Sequence, residues 1–383
     1  MTRSPAIQQN WNGFLGGQPY QGAYELLLHT DARVTGTIEK RNGGTPDIGP
    51  YELVNTVPMG PAEFLVAQPH VALRISLHGS GELRVPDMTK PDKGSYHGAG
   101  LADEVAALVS LELGIRLKAG KEERRFLPGG EARGHPIQHD FPHKPVLRGG
   151  RSSRPMVPEA LGNKSLNDIA LLSSIPVIEA DAAAELVRAA RLFQDALWMV
   201  DEQPHLAWLL LVSAIEVAAS HHRESSATAV ERLRDFNPKL DRLLLAAGGD
   251  THRDEVARMI VDLTGAQKKV LDFIEDFFPD APDRRPPENF RLDWSRESVQ
   301  SAVRVLYGHR SKALHAGVPF PAPLCSPVSP TEAGVLQEVP LAHGAASGGG
   351  VWTKDQLPML LHVFTYVARG SLLKWWASLA ARP

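Results

Sequence analysis

The stretch from Leu206 to Ser220 constrains this chain more than any other. It reads LAWLLLVSAIEVAAS and carries a single charge, Glu216. It is too short and too interrupted to span a bilayer. It reads as a strongly apolar helix over Leu206–His221. Pro204 sits where a first helical turn would begin, since its missing N–H has no partner there anyway. Glu216 then raises a question of its own. An unpaired buried carboxylate is costly, so it must either find a partner, with Arg310 a candidate, or be solvated or paired locally.

From about Asp181 the chain is helical. Ala182–Val200 puts Leu186, Ala190, Phe193, Ala196 and Leu197 on one side. Ala227–Ala247, with a break near Asn237-Pro238, and Arg253–Phe278 give two more helical patterns. After the proline-rich residues 279–289, Ser295 reads as the N-cap of a helix closing at Tyr307–Gly317. Asp355–Ala381 forms a last helix, with Trp375 and Trp376 near its end as core or dimer contacts. Residues 318–351 hold Pro319, Pro321, Pro323, Pro327 and Pro330, then three glycines. That composition reads as a surface insertion or lid, not packed structure.

The first half is different. Residues 1–20 are polar and glycine-rich, a flexible lead-in. Short β-type runs follow at Tyr24–His29, Arg33–Glu39, Glu63–Val66, Val71–His78 and Glu82–Val85, the last two joined by a hairpin turn at His78–Gly81. Leu101–Lys118 has Leu101, Val105, Leu108, Leu111 and Ile115 at helical spacing, a helix for the sheet. Gly120 to Pro158 is irregular, with room for a β-ribbon. The expected architecture is an α+β domain over 21–120, a small antiparallel sheet with a helix. An irregular linker over 121–179 follows, then an all-α bundle over 180–383 with its insertion at 318–351.

Composition narrows the function classes. Forty-one Lys and Arg against 44 Asp and Glu leave a net charge of −3, no general footprint for nucleic acid, though a local site remains open. Cys325 is the sole cysteine, so no intrachain disulfide or cysteine-based zinc cluster can form, which fits a reducing cytoplasm. The N-terminus lacks the apolar core of a signal peptide, and no membrane association is expected. His135, His139 and His143 recur at four-residue spacing, but Pro136 and Pro142 oppose the helix that would align them for zinc or nickel; a polar loop is the better reading.

Tyr307-Gly-His-Arg-Ser-Lys-Ala-Leu-His-Ala-Gly317 carries the chemistry. Arg310 is a permanent cation whose planar fork suits phosphate. His315 can move protons near neutral pH. Together they could cleave RNA without a metal. His315 would act as base or acid for the 2′-OH attack, Arg310 would hold the phosphorane, and a 2′,3′-cyclic phosphate would result. Lys312 and His309 lie close enough in sequence to assist. Residues five apart on a helix sit about 140° apart. Either the helix distorts near Gly308, or His315 lies past its end, or pairs from two protomers meet across a twofold axis.

Residues 180–383 resemble the HEPN superfamily, in its Apea-like branch. The likeness rests on LYGHRSKALHAG at 306–317, on the apolar Ala207–Ala218 helix with its Ile215-Glu216 pair, and on Ala189–Leu197 before it. It says nothing about the N-terminal half. HEPN domains are helical bundles, often dimers, and many are metal-independent endoribonucleases in toxin–antitoxin, abortive-infection and other defence systems. The resemblance implies Arg310 and His315 as the active pair, with Tyr307, Ser311, Lys312, His309 and Glu216 around them, and no cofactor. It implies an RNA substrate and a homodimer; an antitoxin or other regulatory partner reached through the N-terminal domain is a separate expectation. This sequence departs from the pattern at Ser311, where the family often has Asn, Asp or His, and in its longer insertion after Gly317. The rival expectations are a non-catalytic HEPN module that binds RNA, nucleotide or a protein, and a metal-dependent enzyme built on the interdomain histidines.

Overall fold

The computed structural model describes residues 4–38, 48–56, 70–79, 89, 100–139, 155–222, 228–260, 265–340, 344–347 and 349–381. The expected strands at 63–66 and 82–85 lie outside these residues, as does most of the turn between His78 and Gly81. The described chain opens on a helix, Ala6–Leu15 (α1), and not on a flexible lead-in. Its polar look misleads because Ile7 and Trp11 are buried while Gln8 and Asn10 spend their amides on backbone carbonyls. Strands follow at Tyr20–His29 (β1), Arg33–Thr35 (β2), Tyr51–Asn55 (β3) and His70–His78 (β4).

The helix Leu101–Leu113 (α2) stops earlier than its apolar spacing suggests, at Gly114, whose φ of 69° suits glycine. Ile115 and Leu117 stay buried as the chain turns into Lys118–Phe126 (β5), which pairs with His135–Pro136 (β6) as a β-ribbon. The five-stranded sheet runs β3-β4-β1-β5-β6 and is antiparallel throughout. Asn163–Ser165 (β7) pairs parallel with β2. From Met156 to Ile178 the connection is irregular yet packed, with Ala160, Leu166, Leu172 and Ile175 buried.

The C-terminal part is largely helical. Ala180–Met199 (α3) and Pro204–His222 (α4) form a close pair. Ala229–Phe236 (α5) and Pro238–Ile260 (α6) pack chiefly on each other, and α6 bends at Gly249, φ 68°. Ala266–Asp276 (α7), Arg296–Ala316 (α8) and Leu361–Ala380 (α9) complete the bundle around α4. A short hairpin of Gly344–Ser347 (β8) and Gly350–Thr353 (β9) precedes α9. Helix α4 is enclosed: Trp208 is fully buried, stacked between Phe320 and Phe364. Trp375 and Trp376 of α9 are core residues. Among the described residues no helix is long and apolar enough to cross a membrane.

Residues 319–340 correct a second expectation. They are packed, not a free surface lid. Phe320, Leu324, Val328 and Val339 are buried, and the Trp208 indole N–H donates to the Leu324 carbonyl at 3.1 Å. Glu338 is buried against Arg285 and accepts from the Leu292 N–H at 2.8 Å. The prolines kept this segment out of regular structure without keeping it out of the core.

One hydrophobic core runs through both halves, and α2 is its joint. Glu104 accepts the N–H of Ile7 at the start of α1. Glu112 accepts the N–H groups of Ala170, Leu171 and Leu172. Arg369 of α9 donates to the Leu111 and Glu112 carbonyls that end α2. Just beyond α2, Arg116 meets Asp31 at 2.7 Å and Asp201 at 2.6 Å.

Candidate active site

The site forms where α8 crosses α4. Ser295 caps α8 by accepting the Ser298 N–H, as its sequence position led us to expect. The buried stripe of α8, Val299, Val303 and Leu306, packs toward the bundle. Arg310 is one turn beyond Leu306 on that stripe. It therefore points inward and meets the one charged residue of the apolar helix. Its Nη2 donates to Glu216 at 2.6 Å. The Tyr307 hydroxyl donates to the other Glu216 oxygen at 2.7 Å, and the guanidinium lies 5.4 Å from the Tyr307 ring centroid.

This arrangement resolves the question of Glu216: it is paired, with side chains 18% and 19% exposed on Arg310 and Glu216. Burial, then the bond to Glu216 and its charge, push the Tyr307 phenol well above its usual range, so it remains a donor. Arg310 is not saturated. Its Nε is buried without a partner, and its Nη1 has none among the described residues.

His315 is placed differently. It lies exposed in the last turn of α8, which runs unbroken to Ala316 and ends at Gly317, φ 66°. The helix neither distorts at Gly308 nor ends before His315, so two of the three routes to bringing Arg310 and His315 together are gone. Within one chain, His315 shares the solvent stripe with Gly308, Ser311 and Lys312, and Arg310 shares the inner one. A side chain at Gly308 would meet nothing within 4 Å. The Ser311 hydroxyl forms no hydrogen bond with described residues. Exposed Leu314 and Val318 flank this end.

His309 has a separate task. Its Nε2 donates to the Gln356 carbonyl at 2.9 Å, tying α8 to the segment before α9. Burial, with the nearby Lys312 charge, holds its pKa below the ordinary imidazole value and keeps it neutral. Of the three spaced histidines, His135 is on β6 and His139 lies 2.5 Å from the Glu122 carbonyl; His143 is outside the described residues. Among the described residues no group of three His, Cys, Asp or Glu side chains is placed to hold a metal.

Comparison with protein-family models, with curated proteins and with solved structures finds no match for this chain.

Proposed function

We propose that this chain is a metal-independent endoribonuclease of the HEPN type, active as a homodimer. One observation supports the reading most. Arg310 and His315 occupy one unbroken helix on opposed sides, Arg310 braced by Glu216 and Tyr307, His315 open to solvent. A twofold pairing of α8 ends would set the His315 of one protomer against the free Nη1 of the other's Arg310. Exposed Leu314 and Val318 beside the motif supply apolar surface for that contact. In this scheme Arg310 stabilises charge on the phosphorane, and His315 transfers the proton. A role in defence or stress response follows from the same family reading.

The test is cleavage of single-stranded RNA in EDTA, with Arg310→Ala and His315→Ala. Each variant alone should be inactive. Mixed after dissociation, the two should recover about a quarter of wild-type activity, because half the dimers regain one of two sites. No recovery on mixing would overturn the shared site; activity unaffected by either substitution would overturn the nuclease.

The saturation of one Arg310 donor by Glu216 favours a second reading. In it the pair only locks α8 to α4, and the chain is a binding module. That reading moves ahead if wild type and both variants leave every RNA intact.

A further inference from the structure

A cleft of about 350 Å³ lies away from the α4–α8 crossing. Its walls include Trp294 and Tyr366, whose rings meet edge to face at 5.8 Å and 69°. Leu336 and Pro282 extend the apolar lining, and the volume falls at the lower end of small-molecule sites. None of these residues belongs to the motif on α8.

Two opposite charges line this cleft without pairing with each other. Arg284 is exposed and forms no ion pair with described residues. Glu159 belongs to the packed connection between the halves, and its side chain is 54% exposed. His362, buried at the foot of α9, has Nδ1 at 3.2 Å from Glu159 Oε1 and Nε2 at 2.8 Å from the Gln337 carbonyl. A carbonyl only accepts, so Nε2 donates to Gln337, and Nδ1 faces the Glu159 carboxyl. Burial works against the Glu159 charge, but the bond to His362 and its charge outweigh it and hold the carboxyl below its usual range. At neutral pH Glu159 is thus a fixed acceptor, with Oε2 turned to neither partner.

We propose that this cleft binds a guanine nucleotide, either free or as an unpaired residue of RNA. A ligand that uses these walls carries a planar ring, two adjacent N–H donors for the Glu159 carboxylate and an anion for Arg284. Guanine presents N1–H and N2–H side by side, which one carboxylate accepts together. Adenine and cytosine set a ring acceptor beside their amino group, facing the Glu159 charge. One of the Trp294 and Tyr366 rings takes the plane of the base and the other, set 69° to it, meets its edge, while Arg284 takes the phosphate. The inference does not depend on the Arg310–His315 reading.

Calorimetric titration of the full chain with GMP, guanosine, AMP and a guanine-containing tetranucleotide RNA tests it. GMP is expected to bind about tenfold or more tightly than guanosine or AMP. Arg284→Ala, on the surface and unpaired, should make GMP and guanosine equal. Glu159→Gln, of the same shape, should erase the preference for GMP over AMP. Thermal unfolding of both variants checks that the fold persists, and the Arg284→Ala comparison stands alone if Glu159→Gln unfolds. Binding of the RNA alone, with the same dependence on both residues, assigns the site to an RNA nucleotide. The proposal is overturned if neither GMP nor the RNA binds at millimolar concentration, or if binding ignores both substitutions.

Discussion

The surroundings of α2 and the crossing of α4 with α8 both hold charge inside the protein, but they use it differently. Around α2 the buried charged groups are spent on holding the chain together. Arg116, its side chain 3% exposed, is divided between two carboxylates, and Asp201 also accepts the Met156 N–H at 2.8 Å. Glu104 and Glu112 accept backbone N–H groups at helix starts, where the helix dipole favours negative charge. At the α4–α8 crossing, Arg310 has one carboxylate, an orphaned Nε and a free Nη1. Spent capacity marks structure, and capacity left over marks a place where something else can bind.

The largest test of this contrast is Arg116→Ala. It strands Asp31 and Asp201 with no countercharge and should cost about 3–5 kcal/mol in urea unfolding. Arg310→Ala strands Glu216 alone, at a site open on one side, and should cost about 1–2 kcal/mol. Equal costs would break the comparison.

Glu104→Gln comes next. Burial raises the Glu104 carboxyl from 4.5 to about 7, against the backbone bonds that lower it. A folded-state value above the unfolded one means that the folded chain holds a proton the unfolded chain has lost. The contribution is complete below pH 4.5 and disappears as pH rises through about 7. Wild-type stability should therefore fall across that window, and Glu104→Gln should flatten the slope and gain on the order of 1–3 kcal/mol at pH 8. An unchanged slope, read from unfolding midpoints at a series of pH values, would remove Glu104 from the spent side.

The smallest effect is spectroscopic. Glu216→Gln removes the charge that helps to raise the Tyr307 phenol and leaves burial and an acceptor oxygen. Titration by ultraviolet absorbance should show one tyrosine moving part-way back toward its ordinary range, at about 1 kcal/mol of stability.

Much of this was readable in the residues before any coordinates. The strongly apolar helix expected over 206–221 is α4, and pairing with Arg310 was already one of two answers for Glu216. Strands β1 and β4 and the Ser295 cap follow from alternation and from local hydrogen bonding, whereas β3 was not expected and β5 falls where a helix end and an irregular stretch were. What escaped depends on partners remote in sequence. Nothing in SLEL shows that Glu112 will collect three N–H groups from residues 170–172. The buried amides of α1 and the Trp208–Phe320 stack made polar and proline-rich segments look unstructured. His362, Glu159 and Arg284 are brought together across 203 and 125 positions of chain, and only a histidine inside the apolar LLHVFTYV hinted at a partner.

The bend at Gly249 belongs to an arm, α5 and α6, whose helices lean chiefly on each other. Such a unit can open while the body stays closed, and its amides would exchange with solvent at a free energy well below that of global unfolding. Circular dichroism counts the helices of the arm together with the rest. An early slope in a melting curve would then report the arm, and the midpoint alone would report the body, so the two stabilities in this chain need separate probes.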